Sequence, residues 1–129
     1  MGHPPTPSEL EGVWIVRWGE YLDSIILLHF LPGRRFVLED ETTASIYDSF
    51  RVVGRYTLSG WRLTVKAETG FHCRFGDHWA WRLVLTDWGT LDLRHIGAGA
   101  TGCRADLGRQ WIAERLDPEP PLVWPGLTE

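Results

Sequence analysis

From Phe50 to Glu68 the chain alternates. Phe50, Val52, Gly54, Tyr56 and Leu58 fall on one side of an extended backbone, and Arg51, Val53, Arg55 and Thr57 on the other. After Ser59–Gly60 the alternation resumes, with Trp61, Leu63, Val65 and Ala67 set against Arg62, Thr64, Lys66 and Glu68. A period of two marks a strand with one buried and one wet face. Ser59–Gly60 is a two-residue turn signal, so the stretch predicts a hairpin. The same reading extends in both directions. Gly12–Gly19 predicts a first strand and Ser24–Leu31 a second. Pro32–Gly33 suits the central positions of a type II turn into a third strand at Arg35–Asp40. Downstream, His78–Asp87 puts Trp79, Trp81, Leu83 and Leu85 on one face, and Trp88–Gly89 turns the chain into Thr90–Ile96.

Gly108–Leu116 is ambiguous. As a strand it groups Arg109, Trp111 and Ala113; as a short helix it pairs Leu107 with Trp111 and Ile112 with Leu116. The strand is the favoured reading. Residues 1–8 carry three prolines and no periodicity, which predicts a flexible arm, and residues 117–129 carry four more, which predicts an extended tail. Between them, residues 9–116 form one all-β domain of seven or eight short strands joined mostly by tight turns. A meander of eight strands closes into an antiparallel up-and-down barrel; a small sandwich is the alternative.

Composition narrows the function classes. The chain has 129 residues, 43% of them hydrophobic, and a formal net charge of −4. That length makes one domain with a real core, and the charge disfavours nucleic acid as a partner. There is no polybasic run for an anionic membrane surface. The longest apolar run, Ile25–Leu31, is interrupted by His29 and too short to span a bilayer. The opening MGHPPTPSE lacks the basic and apolar regions of a secretory signal, so a cytoplasmic location is expected. There Cys73 and Cys103 are expected as free thiols. Eight tryptophans, against three tyrosines and one methionine, are the outlier.

The segment Gly12-Val13-Trp14, behind a lead-in carrying Ser8, Glu9 and Glu11, resembles the G-x-W that opens the first strand of lipocalin-like, calycin-type barrels. The block from Phe30 to Val65, with its run Gly54, Tyr56, Leu58, Gly60, Leu63 and Val65, resembles small bacterial lipocalin-like domains. The resemblance implies an eight-stranded barrel with a ligand inside. It also implies a late arginine packed over the tryptophan of G-x-W, a role open to Arg109 or Arg115. Barrels of this shape include cofactor-free cyclases that fold a polyene or polyketide.

An eight-stranded barrel is wide enough to be filled by side chains or to hold one small ligand. The alternation predicts an inward set that includes Trp14, Trp18, Phe36, Trp61, Trp79, Trp81 and Trp111 as ligand-lining residues. Pockets are lined this way, with aromatic walls and a few placed polar groups. Glu20, Tyr56 and His95 are the candidate catalytic groups: an acid beside indoles, a phenol donor and an inward imidazole. Tyr21, Asp40 and Tyr47 can reach the same interior, whereas His29 falls on the opposite face from Leu28 and Phe30 and is expected outside. His72, Cys73, Asp77 and His78 lack a C-x-x-C pair or other ligand spacing, so no metal is expected. GAGATG at 97–102 lacks the lysine and the strand–helix context of a phosphate loop, and no cofactor is expected. The leading expectation is a cofactor-independent cyclase or isomerase of a hydrophobic small molecule. A non-catalytic carrier or sensor is the alternative, and an inhibitor- or immunity-type interaction module the third reading. A homodimer is left open.

Overall fold

The computed structural model of the chain describes residues 2–19, 25–41, 50–70, 78–96 and 110–116. Their elements are, in order, β1 (Gly2–His3), α1 (Pro7–Leu10), β2 (Gly12–Gly19), β3 (Ile25–Leu31), β4 (Arg35–Glu41), β5 (Phe50–Ser59), β6 (Arg62–Gly70), β7 (His78–Thr86), β8 (Thr90–Ile96) and β9 (Gln110–Arg115). Each strand from β2 to β9 pairs antiparallel with the next, and β9 pairs back onto β2. The result is a closed, eight-stranded, up-and-down barrel, compatible with a calycin-like fold. Closure removes the free sheet edges that an open meander would expose. Residues 110–115, ambiguous in sequence, form the closing strand.

The barrel has two unlike ends. At one, the connections 31–35, 59–62 and 86–90 are tight turns, and β1 lies beside the last residues of β7. At the other, the longer connections 20–24, 42–49, 71–77 and 97–109 fall outside the described residues, as does the proline-rich tail 117–129. Cys73 and Cys103 therefore lie outside as well.

Residues 1–8 are expected as a flexible arm; the described part of that stretch instead enters a two-residue strand, Gly2–His3, and one capped helical turn, Pro7–Leu10. The reason is local chemistry. Thr6 is an N-cap whose hydroxyl accepts from the Glu9 amide at 3.3 Å, while the Glu9 carboxylate accepts from the Thr6 amide at 3.0 Å. This reciprocal capping box, with Pro7 at the first helical position, specifies the turn. It delivers Leu10, fully buried, into the barrel core. The backbone-amide and His3 hydrogen bonds hold the Glu9 carboxyl below its ordinary value of 4.5.

Two seams fix the register. Between β2 and β9, Trp14 lies opposite Arg115, and the ladder shifts between Val16 and Trp18. Between β5 and β6 it shifts at Val53/Gly54. A Cβ at Gly54 would collide with the Lys66 carbonyl, so only glycine permits that close approach.

The core is built from the inward faces: Leu10, Trp14, Val16, Ile26, Leu28, Phe30, Phe36, Leu38, Tyr56, Leu63, Trp79, Trp81 and Trp111 are among its members. One outer wall is shielded too. Val13, His29, Val37 and Val53 form a cross-strand row over β2–β5, and all four are buried. His29 does face away from the lumen, but it is not at the surface: its exposure is 0%, and its Nε2 lies 2.8 Å from Oε2 of Glu39, itself 1% exposed. An imidazole so buried needs that partner.

The folded Glu9 has the lower pKa, so its contribution to stability is full above about pH 4.5 and is lost as pH falls through the folded value. Acidification should therefore loosen the N-terminal turn first, read as faster amide exchange at Leu10, and Glu9→Gln should remove that acid dependence. Removing Glu39 alone (Glu39→Ala) should cost about 3 kcal/mol in urea unfolding by stranding His29; replacing both by leucine should cost less than the sum of the two single changes.

Candidate functional site

Arg115 settles which late arginine meets the tryptophan of G-x-W. Its guanidinium sits 4.4 Å from the Trp14 ring centroid. It also donates to the Glu11 carbonyl at 2.7 Å and to the Glu9 carbonyl. Trp14 is 1% exposed, and its indole N–H donates to the Leu10 carbonyl at 2.9 Å. Trp14 is thus an inward core residue at the turn end of the barrel, with its N–H satisfied by the backbone.

The remaining lumenal aromatics form a chain of ring contacts. Tyr56 meets Phe30 edge-on at 5.4 Å, Phe30 meets Phe36 at 5.4 Å, and Phe36 meets Trp79 at 6.3 Å and Trp81 at 6.1 Å. Trp81 contacts Trp79 and Trp111, each at 5.7 Å. Their centroid separations and tilted or edge-on attitudes are those aromatic quadrupoles prefer. Trp79, Trp81 and Trp111 lie toward the strand ends where the long connections emerge. His95 is directly opposite Trp81 on the β7–β8 ladder.

These residues share an unusual property. Among the described residues no hydrogen-bond partner exists for the buried Nε1 atoms of Trp79, Trp81 and Trp111, for the Tyr56 hydroxyl or for His95 Nε2. Buried polar atoms are nearly always satisfied, and Trp14 in the same core shows how this chain satisfies an indole when the role is structural. The lumen therefore presents three donor-only indole N–H groups, one phenol and one imidazole nitrogen. Burial pushes the Tyr56 phenol above its ordinary value of 10, against the opposing charge of Arg34, so it is a neutral donor at physiological pH. Arg34 lies 5.9 Å from the Tyr56 ring centroid.

Several expected site residues are elsewhere. Trp18 is not a wall of the lumen: it is 55% exposed. The β-bulge after Val16 reverses the side on which it projects, placing it opposite Ile112, which lies between the inward Trp111 and Ala113. Trp61 is not inward either. The two-residue turn is Gly60–Trp61, because Ser59 pairs with Arg62, and Trp61 is 39% exposed beneath the Arg82 guanidinium at 4.9 Å. Glu20, like Tyr21, Tyr47, His72, Cys73 and Asp77, lies outside the described residues. Asp40 is a backbone partner of Ile26 on β4. Phe36, Trp79, Trp81 and Trp111 are all in the lumen. No hydrogen bond joins Tyr56 to His95 among the described residues. Among those residues there is also no group of three His, Cys, Asp or Glu that could hold a metal ion, and no helix is long and apolar enough to cross a membrane.

No protein-family model matches this chain, and neither a curated protein nor a solved structure matches it.

Proposed function

We propose that the chain is a lipocalin-like binding barrel that takes one hydrophobic, acceptor-bearing small molecule into its indole-lined lumen. The observation that carries this reading is the set of buried polar atoms on Trp79, Trp81, Trp111, Tyr56 and His95 that have no partner among the described residues. Three of these atoms donate only, so the complementary ligand is apolar in bulk and offers carbonyl or ether oxygens. The stack of Arg115 on Trp14 supports the lipocalin-like assignment, since that pairing is the one the family resemblance implies.

The same donors support cofactor-free chemistry as an extension of binding. A neutral Tyr56 phenol beside a ligand carbonyl polarises it, and rigid aromatic walls restrict a flexible substrate to a near-reactive shape. This is the requirement of a cyclase or isomerase. The carrier reading draws its support from the lack, among the described residues, of a hydrogen bond joining Tyr56 to His95 as an acid–base pair.

Native against denaturing mass spectrometry of the purified protein tests binding directly. A reproducible extra mass, lost on denaturation and with an oxygen-bearing formula, is the expected result. Tyr56→Phe supplies the control. It should leave unfolding free energy unchanged or slightly raised, because no hydrogen bond to a described residue is lost, and should weaken binding of a ketone-bearing polycyclic probe about five- to tenfold. Destabilisation by more than about 1 kcal/mol with unchanged probe affinity would show that the phenol serves the fold instead.

A further inference from the structure

The outer wall of β6–β9 carries an arrangement that folding does not call for. Arg62 is directly opposite Arg82, Arg82 is opposite Arg94, and Arg94 is opposite Gln110. The three arginines are exposed, each on the opposite side of its strand from inward neighbours such as Leu63, Trp81 and Leu93. Strands in a sheet are about 5 Å apart, and like charges placed directly opposite one another destabilise it. Two exposed arginines elsewhere on the described strands are neutralised. Arg17 pairs with Glu114 at 3.3 Å and Arg55 with Glu68 at 3.3 Å. Among the described residues no carboxylate reaches salt-bridge distance of Arg62, Arg82 or Arg94.

Four residues along the strands lies a second row, Arg35–Arg55–Lys66. This second row runs from β6 round to β4, so six of the chain's 13 lysine and arginine residues stand in two outer rows of a protein whose net charge is −4. Among the described residues the acids on the strands of the β6–β9 outer face are Glu68, engaged by Arg55, Asp92, which accepts from the Thr90 hydroxyl at 3.5 Å, and Glu114, engaged by Arg17. Beside the arginine row is a hollow of about 120 Å³ lined by Arg82, Val84, Asp92, Arg94 and Gln110. An exposed indole flanks each end of the wall. Trp61 lies under Arg82, and Trp18 closes the adjacent row Val84–Asp92–Ile112–Trp18.

We infer that this wall is a docking face for a carboxylate-rich segment of a partner protein. The guanidinium fork matches carboxylates in bidentate geometry. Arginine and tryptophan are the residues that dominate protein interfaces, and here they are interleaved. The overall negative charge selects among anions. A long polyanion or an anionic bilayer meets the field of the whole acidic molecule, whereas a protein carrying a local acidic segment meets only the complementary wall and is oriented by it. The face is separate from the lumen, so it stands or falls independently of the ligand proposal.

The test uses the full chain and three probes: a glutamate-rich peptide, oligothymidylate, and phosphatidylserine-containing vesicles, followed by titration calorimetry and tryptophan fluorescence. The peptide should bind, and binding should fade as ionic strength rises from about 0.01 M to about 1 M, where the screening length falls from about 30 Å to about 3 Å. R62S/R82S/R94S should lower peptide affinity about tenfold or more, while R34N, which removes an exposed cation from the turn between β3 and β4, should not. The melting temperature of the triple variant should equal or exceed that of the parent, because like-charge neighbours are removed; a purely structural row would lower it. If the triple variant does not fold, R94Q alone carries the same paired expectation of lower affinity with undiminished stability. Absence of salt-dependent peptide binding, unchanged affinity in the folded variants, or tighter binding of oligothymidylate or vesicles than of peptide overturns the inference.

Discussion

Everything in this molecule depends on the seam where β9 returns to β2. Without it, the eight strands are an open sheet with two raw edges and no interior. The seam is secured at its end by one compact assembly. Trp14 fills the turn end of the lumen, Arg115 stacks on its outer side, and the guanidinium holds the carbonyls of Glu9 and Glu11. The helical turn before β2 is thereby tied to the last strand, so α1 and β9 meet at the same end of the barrel. A cation over an indole and charge-assisted hydrogen bonds from one guanidinium are each of about 1–3 kcal/mol, and here they are made by one residue at the point of closure.

The closed barrel then divides the chain's chemistry among three surfaces. Inside, aromatic rings pack edge-on or tilted and leave buried polar atoms without partners among the described residues. Over β2–β5 the outer row is three valines and His29, all buried, with His29 held by Glu39. Over β6–β9 the outer row is cationic and exposed. A fold held together only by its core would have no need of the last. Local violations of good packing or charge pairing tend to gather where function is carried. In this molecule they gather at two places, the donor-rich lumen and the arginine row.

Much of this was legible in the sequence because strand alternation is a strictly local rule. The hairpin at 50–70, the strands at 12–19, 25–41 and 78–96, and the inward positions of Phe36, Tyr56, Leu63, Trp79, Trp81, Leu83 and Trp111 follow from period two and turn residues alone. The closing of a meander of that many strands follows from the need to hide edges. What alternation cannot register is an extra residue. The bulge between Val16 and Trp18 is specified by how β2 meets β9 across the whole chain, and it moved Trp18 from wall to surface. A one-residue displacement of the turn did the same to Trp61.

The sequence by itself determined which residues alternate, where the chain turns, and that one short acidic domain would carry an excess of indoles. The tertiary structure decided which indoles are satisfied and which are not, because Trp14 finds the Leu10 carbonyl only once α1 caps the barrel. It decided that His29, outward on its strand, is nonetheless buried against Glu39, ten residues away on the neighbouring strand. It also decided that Arg62, Arg82 and Arg94, scattered over thirty-odd positions among ordinary solvent-facing residues, stand side by side. The physical reason is the same in each case. Facing is a property of one strand and is written locally, whereas adjacency is a property of the ladder between strands and exists only when the barrel is closed.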